Sequence, residues 1–109
     1  DGLIPAPNTA AFYKSMTAKL DPAKAADSVR LFMLPGVGHC GGGDAPSVTD
    51  MLSVIDQWVE TGKAPERITA SSGPNQKPVS RPLCPYPKVA RYKGSGNPDE
   101  AASFECDAR

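Results

Sequence analysis

The chain has 109 residues, with twelve basic and twelve acidic side chains and 39% hydrophobic content. That length suits one small domain or part of a larger one, with roughly two-thirds of the extended surface available for burial. Zero formal net charge, no Lys/Arg cluster and no apolar run near the ~20 residues of a spanning helix argue against nucleic acid and membrane as partners.

Twelve prolines and ten glycines exceed their usual joint share of about 12%. They punctuate patterned segments, so the chain reads as ordered and loop-rich. The opening Asp1-Gly2-Leu3-Ile4-Pro5 has the character of a fold interior, and no signal peptide opens the sequence. Cys40, Cys84 and Cys106 make an odd count: one thiol is free, or its partner lies elsewhere. A structural disulfide among them points to an oxidising compartment, secreted or periplasmic.

Asn8 to Leu20 reads as a helix, capped by Asn8, with Phe12, Met16 and Leu20 on one face. Asp21-Pro22 stops it, and Pro22 to Ala26 makes one further turn. Val29 to Leu34 is a continuous apolar run closed by Pro35-Gly36, as expected of a strand buried on both faces of a parallel sheet. Residues 35–46 are a glycine-rich loop. Ser47 to Glu60 is the strongest helix, with Ser47 and Asp50 placed like a capping box. Its stripe is Val48, Leu52, Ile55 and Val59, widened by Met51 and Trp58, and Gly62 ends it in a left-handed conformation. Arg67 to Ser71 reads as a strand. Beyond it, residues 72–100 turn rich in Pro, Ser, Asn and Gly, with Arg81 to Tyr92 the only apolar stretch. Helix, strand, glycine loop and helix imply an α/β fold of which only part of the sheet is present. The neighbours of the 29–34 strand are expected mostly outside this chain.

His39, the only histidine, sits in a loop between a buried strand and an amphipathic helix, where reactive groups of open α/β sheets gather. It is a candidate general base; the plainer alternative is a loop histidine serving a local hydrogen bond. Asp1 lies one helix-plus-strand unit earlier. Ser, then Asp or Glu, then His is the triad order of α/β-hydrolases, so Asp1 is a candidate acid, or merely a terminal residue. No serine stands in Gly-x-Ser-x-Gly, and Gly94-Ser95-Gly96 follows the histidine, in the wrong order. Gly41-Gly42-Gly43 lacks the Lys-Ser/Thr of a phosphate loop and reads as a tight turn. Asp56 and Glu60 form a solvated face. A metal site from His39, Cys40 and another Cys is disfavoured, because adjacent side chains point apart.

Pro35-Gly36-Val37-Gly38-His39-Cys40-Gly41-Gly42-Gly43, then Ala64-Pro65-Glu66-Arg67-Ile68, then Arg81-Pro82-Leu83-Cys84-Pro85-Tyr86-Pro87 with Val89-Ala90-Arg91-Tyr92 and Gly94-Ser95-Gly96, resemble the C-terminal part of the tannase and feruloyl esterase family. That family includes bacterial hydrolases of aromatic monoesters. The resemblance implies an α/β-hydrolase fragment, with residues 1–71 the C-terminal portion of the core and residues 72–109 a loop-rich extension. It implies His39 as general base and Asp1 as acid, from a motif Asp-x-Leu-Ile-Pro whose second position is often Pro where Gly2 stands here. It pairs Cys40 with a cysteine outside this chain that precedes the nucleophilic serine, and Cys84 with Cys106. The serine, the oxyanion hole and a lid domain with a calcium site belong to sequence beyond these residues, so the chain's partner is the remainder of the hydrolase and its substrate a small aromatic ester. No cofactor is implied within the chain. The rival reading is a small secreted module, disulfide-stabilised and without catalysis.

Overall fold

The structure is a computed structural model that describes residues 2–108. Three helices come first: α1 (Ala6–Thr17), α2 (Pro22–Ser28) and α3 (Met51–Thr61). Helix α1 starts and stops earlier than the Asn8–Leu20 span. Pro5 is the N-cap, a proline occupies the first turn, and the fixed proline φ is already helical. Asn8 thus lies inside the helix, its N–H donating to the Pro5 carbonyl at 3.0 Å. The Thr17 hydroxyl donates back to the Tyr13 carbonyl at 2.9 Å in the last turn. Helix α2 is capped by Asp21, whose Oδ1 accepts from the Ala23 and Lys24 N–H groups at 3.0 and 3.2 Å, and it runs on to Ser28.

Helix α3 is capped by Asp50 rather than Ser47. The Asp50 carboxylate accepts from the Ser53 N–H at 3.1 Å and the Ser53 hydroxyl at 2.7 Å. These bonds hold the Asp50 carboxyl below its ordinary pKa, the hydroxyl bond contributing most. Ser47 cannot be the cap because its backbone is engaged elsewhere: Ser47 and Val48 donate to the Ser71 carbonyl, and Ser71 donates back to Val48. At the other end Gly62 adopts φ 67°, and its N–H closes on the Trp58 carbonyl at 2.8 Å, a conformation that any Cβ would disfavour.

Four short strands follow: β1 (Ile68–Ser71), β2 (Ser80–Leu83), β3 (Val89–Tyr92) and β4 (Phe104–Asp107), with a single 3₁₀ turn at Ala101–Ser103 before the last. Strands β1 and β2 pair antiparallel, with Ile68 opposite Leu83 and Ala70 opposite Arg81; β3 and β4 pair antiparallel, with Ala90 opposite Cys106. Alternation along β1 turns Ile68 and Ala70 inward and Thr69 and Ser71 outward. Ile68, Ala70 and Leu83 form the core, with Phe32 and Val54 against them.

The two sheets are fastened together. The Cys84–Cys106 disulfide, Cα atoms 5.5 Å apart, joins the residue after β2 to β4. The Arg67 guanidinium donates to the Ala101 and Phe104 carbonyls. The Ser80 hydroxyl accepts from the Ala101 N–H at 2.9 Å. Arg81 lies over the Phe104 ring at 4.8 Å, and Tyr92 meets the same ring edge-on at 5.5 Å.

No parallel sheet is seen around Val29–Leu34: among the described residues both sheet ladders are antiparallel, and the neighbours expected for that segment are ones outside this chain. The 29–34 segment forms no ladder. It makes one isolated bridge, Phe32 to Pro85, and the Leu31 carbonyl accepts from the Tyr86 N–H at 2.8 Å.

Candidate functional site

His39 lies in the loop between residues 35 and 46, and both ends of that loop are tied to the C-terminal sheets. Upstream, Phe32 bridges Pro85; downstream, Val48 bridges Ser71 of β1. Between these anchors the chain doubles back on itself. Val37 and Gly43 form a further bridge. The Gly38 N–H donates to the Gly42 carbonyl at 3.1 Å, and the Gly41 N–H to the Gly38 carbonyl at 3.3 Å. His39 and Cys40 occupy the tip of this turn and are exposed.

Glycine is required for that geometry. Gly43 has φ 96°, and a Cβ there would fall far inside contact distance of the Gly36 carbonyl. The glycine run therefore serves close backbone approach, and His39 at its tip is exposed. An imidazole so placed can exchange a proton with a group brought to it by another segment.

Asp1 lies outside the described residues. Cys40 is a free thiol within this chain, while Cys84 and Cys106 are bonded to each other. Among the described residues no group of three or more His, Cys, Asp or Glu could hold a metal ion. No described helix is long and apolar enough to cross a membrane.

Beside the turn lies a cleft of about 300 Å³, bordered by Gly42, Gly43, Ser47, Asn75 and Gln76. Its far wall is a turn in which the Gln76 carboxamide oxygen accepts from the Gly73 N–H at 2.8 Å. A second cleft, about 520 Å³, runs between the 71–80 segment and Asn97–Glu100. At its rim Asp99 pairs with Lys77. That hydrogen bond holds the Asp99 carboxyl below its ordinary value, against a smaller opposing effect of burial.

Sequence reasoning placed His39 on a loop but missed what holds the loop in place. Pro85-Tyr86 beside Leu31-Phe32, and Ser71 beside Val48, are contacts between segments far apart in the chain. No local pattern announces them.

The comparisons with known proteins agree with one another. The sequence model of the family described as "Tannase and feruloyl esterase" matches residues 1–107. The mono(2-hydroxyethyl) terephthalate hydrolase of Piscinibacter sakaiensis is 45% identical over 112 residues, covering 99% of this chain and 18% of that protein. A probable feruloyl esterase B-2 of Aspergillus terreus is 31% identical over 126 residues, covering 97% of this chain and 24% of that protein. The crystal structure of feruloyl esterase B from Aspergillus oryzae superposes with a TM-score of 0.80 at 27% identity, over 96% of this chain and 24% of that one. The chain thus spans 18–24% of the length of these relatives. It belongs to the tannase and feruloyl esterase family and corresponds to the C-terminal part of its members.

Proposed function

We propose that these residues are the C-terminal part of a secreted or periplasmic carboxylic ester hydrolase that cleaves aromatic-acid esters through a Ser-His-Asp triad. Residues 1–71 complete the hydrolase core and residues 72–109 form its loop-rich extension. The observation that carries this reading is His39 on the tip of a glycine-built turn, inside the Gly-His-Cys motif of a chain matched to the family over residues 1–107. The remainder of the polypeptide supplies the serine, the oxyanion hole and the lid, which would carry a calcium site and whose aromatic-acid pocket selects the substrate.

In the complete enzyme His39 Nε2 faces the serine Oγ, and Nδ1–H donates to the Asp1 carboxylate. Neutral His39 takes the serine proton as Oγ attacks the ester carbonyl carbon, and the carbonyl oxygen becomes an oxyanion. Collapse of that intermediate breaks the bond to the alcohol oxygen, and His39 returns the proton to the departing alcohol. Water then attacks the acyl-serine, its proton passing through His39 to the serine, and the aromatic acid leaves. Asp1 fixes the tautomer and steadies the imidazolium. A disulfide from Cys40 to a cysteine just before the serine would hold the histidine turn beside the nucleophile. The fragment alone has no nucleophile for this chemistry and is expected to be inactive.

His39→Ala in the polypeptide that carries these residues tests the reading, with a terephthalate monoester and a ferulate ester as probes. Turnover should fall by roughly 10⁴-fold or more with the fold intact. Retention of a tenth of the original turnover would overturn the general-base role. The non-catalytic module keeps Cys40 free or links it to a second copy, whereas the enzyme bonds it to a cysteine outside these residues, so non-reducing peptide mapping of the same polypeptide separates the two readings.

A further inference from the structure

The cleft beside the histidine turn has a chemistry of its own. One wall includes Gly42 and Gly43 of the turn that carries His39; the other is the turn from Gly73 to Gln76. One contact sets both walls. Ser47 and Val48 donate to the Ser71 carbonyl and Ser71 donates back to Val48, which lays the start of the 72–79 segment against the end of the histidine loop. None of the residues lining the cleft is charged and none is aromatic. Its polar side chains are one hydroxyl and two carboxamides. The Gln76 oxygen is committed to the Gly73 N–H at 2.8 Å, which leaves the amide nitrogen to donate. Among the described residues the Asn75 carboxamide and the Ser47 hydroxyl enter no hydrogen bond, and each can both donate and accept.

We propose that this cleft takes the alcohol half of the ester, and that Asn75 selects alcohols carrying a further hydroxyl, such as a diol or a sugar. The proposal rests on the reading above that His39 is the general base of an ester hydrolase. In that reaction His39 hands its proton to the departing alcohol oxygen, so the alcohol leaves past the imidazole. The cleft shares a wall with the turn that holds that imidazole. Its lining also favours the alcohol over the aromatic acid. An aromatic ring is best held by apolar and aromatic side chains, and the lining has no ring to offer. A carboxylate calls for a cation, and the cleft has none. The adjoining cleft, which shares Gly73, Pro74 and Gln76, carries two acids, Asp99 and Glu100, of which Lys77 pairs with the first; that acidic surplus repels an anion. A neutral hydroxyl finds donors and acceptors of its own kind in Ser47, Asn75 and Gln76. At about 300 Å³ the cleft stands at the small end of ligand sites, on the scale of one diol or one sugar unit.

The test uses the full polypeptide that carries these residues and two esters of one acid. These are the 2-hydroxyethyl and the ethyl monoester of terephthalate, which differ by a single hydroxyl. The ratio of their kcat/KM values, hydroxyethyl over ethyl, is the readout, because a general loosening of the turn lowers both alike. Asn75→Ala should lower that ratio about fivefold, the worth of one neutral hydrogen bond. Lys77→Ala, on the same segment but outside the cleft, should leave the ratio where it is. An unchanged ratio in Asn75→Ala would overturn the proposal, as would an equal fall in Lys77→Ala. Binding supplies an arm that needs no turnover. The corresponding N-(2-hydroxyethyl) and N-ethyl amides are titrated calorimetrically, and their affinity ratio should fall by a similar factor in Asn75→Ala. Equal affinities in the unsubstituted polypeptide, or no binding of either amide, would also overturn it. A His39→Ala enzyme that kept its turnover would sink the general-base reading alone, since the amide ratio is measured without it.

Discussion

The residues before β1 and those from β1 onward solve different problems. The first region holds all three helices and the clearest periodic patterns, yet among its described residues only Ala25 is buried. The second is poor in pattern and rich in proline, yet it contains Ile68, Ala70, Leu83, Cys84, Ala101 and Ser103, all buried, and the disulfide. Regular local structure and a self-supplied core are therefore separate properties. A helix needs only its own hydrogen bonds to be recognisable, whereas a core needs partners, and only the second region brings its own.

The largest effect that can break this contrast comes from the disulfide. Cys84 and Cys106 are 22 residues apart, and removing a cross-link of that span costs ~3 kcal/mol in the chain-entropy model. In Cys84→Ala with Cys106→Ala, amide protection in β3 and β4 should fall by roughly 10²-fold in hydrogen exchange, while α1 amides hardly change. An equal fall in α1 would show one cooperative unit rather than two unlike regions.

Packing gives the next effect. Ile68→Ala should cost about 2 kcal/mol, the low end for a core this small. Leu52→Ala in the same 109-residue chain should stay within about 0.5 kcal/mol. Urea midpoints of the two variants measure the difference. In the longer polypeptide the Leu52 value should climb toward that of Ile68.

Acid gives the smallest effect, and it reaches one site in each region. Asp50 and Asp99 are both held below the ordinary carboxylate value, by Ser53 and Lys77 respectively. A depressed folded-state pKa contributes stability that is fully present above the unfolded value, about 3.9, and is lost as pH falls toward the folded one. Amide protection at Ser53 and around Ser80 should therefore hold steady from neutrality to about pH 4 and decline below it. A decline starting near neutrality would contradict both pairings.

The same division explains what the sequence disclosed. Helix α3, its stop at Gly62 and the strand at β1 were legible because 3.6-residue periodicity, a left-handed glycine and a β-branched run are local signals. The helix starts were less so. Pro5 displaced Asn8, and Ser47 was drawn to Ser71 by a sheet contact that no cap rule anticipates. Strands β2 to β4 lay unseen among prolines because each is defined by a distant partner. Val29–Leu34 has the composition of an interior strand, but among the described residues its sheet pairing is the single Phe32–Pro85 bridge. The Cys84–Cys106 link came from family resemblance, since three cysteines alone leave the pairing open. At the candidate site, the glycine turn under His39 was foreseeable from residue type, and its anchoring was not.

The cross-link between Cys84 and Cys106 also changes what a protease could do to this molecule. The exposed bend from Lys93 to Asn97 lies inside the span it closes, so a cut after Lys93 would release nothing. Both pieces would stay joined through sulfur, with β3 still laid against β4 across the register from Val89–Asp107 to Tyr92–Phe104. Such a nick would leave the mass of the molecule greater by one water and its outline unchanged, and only reduction would separate the two pieces.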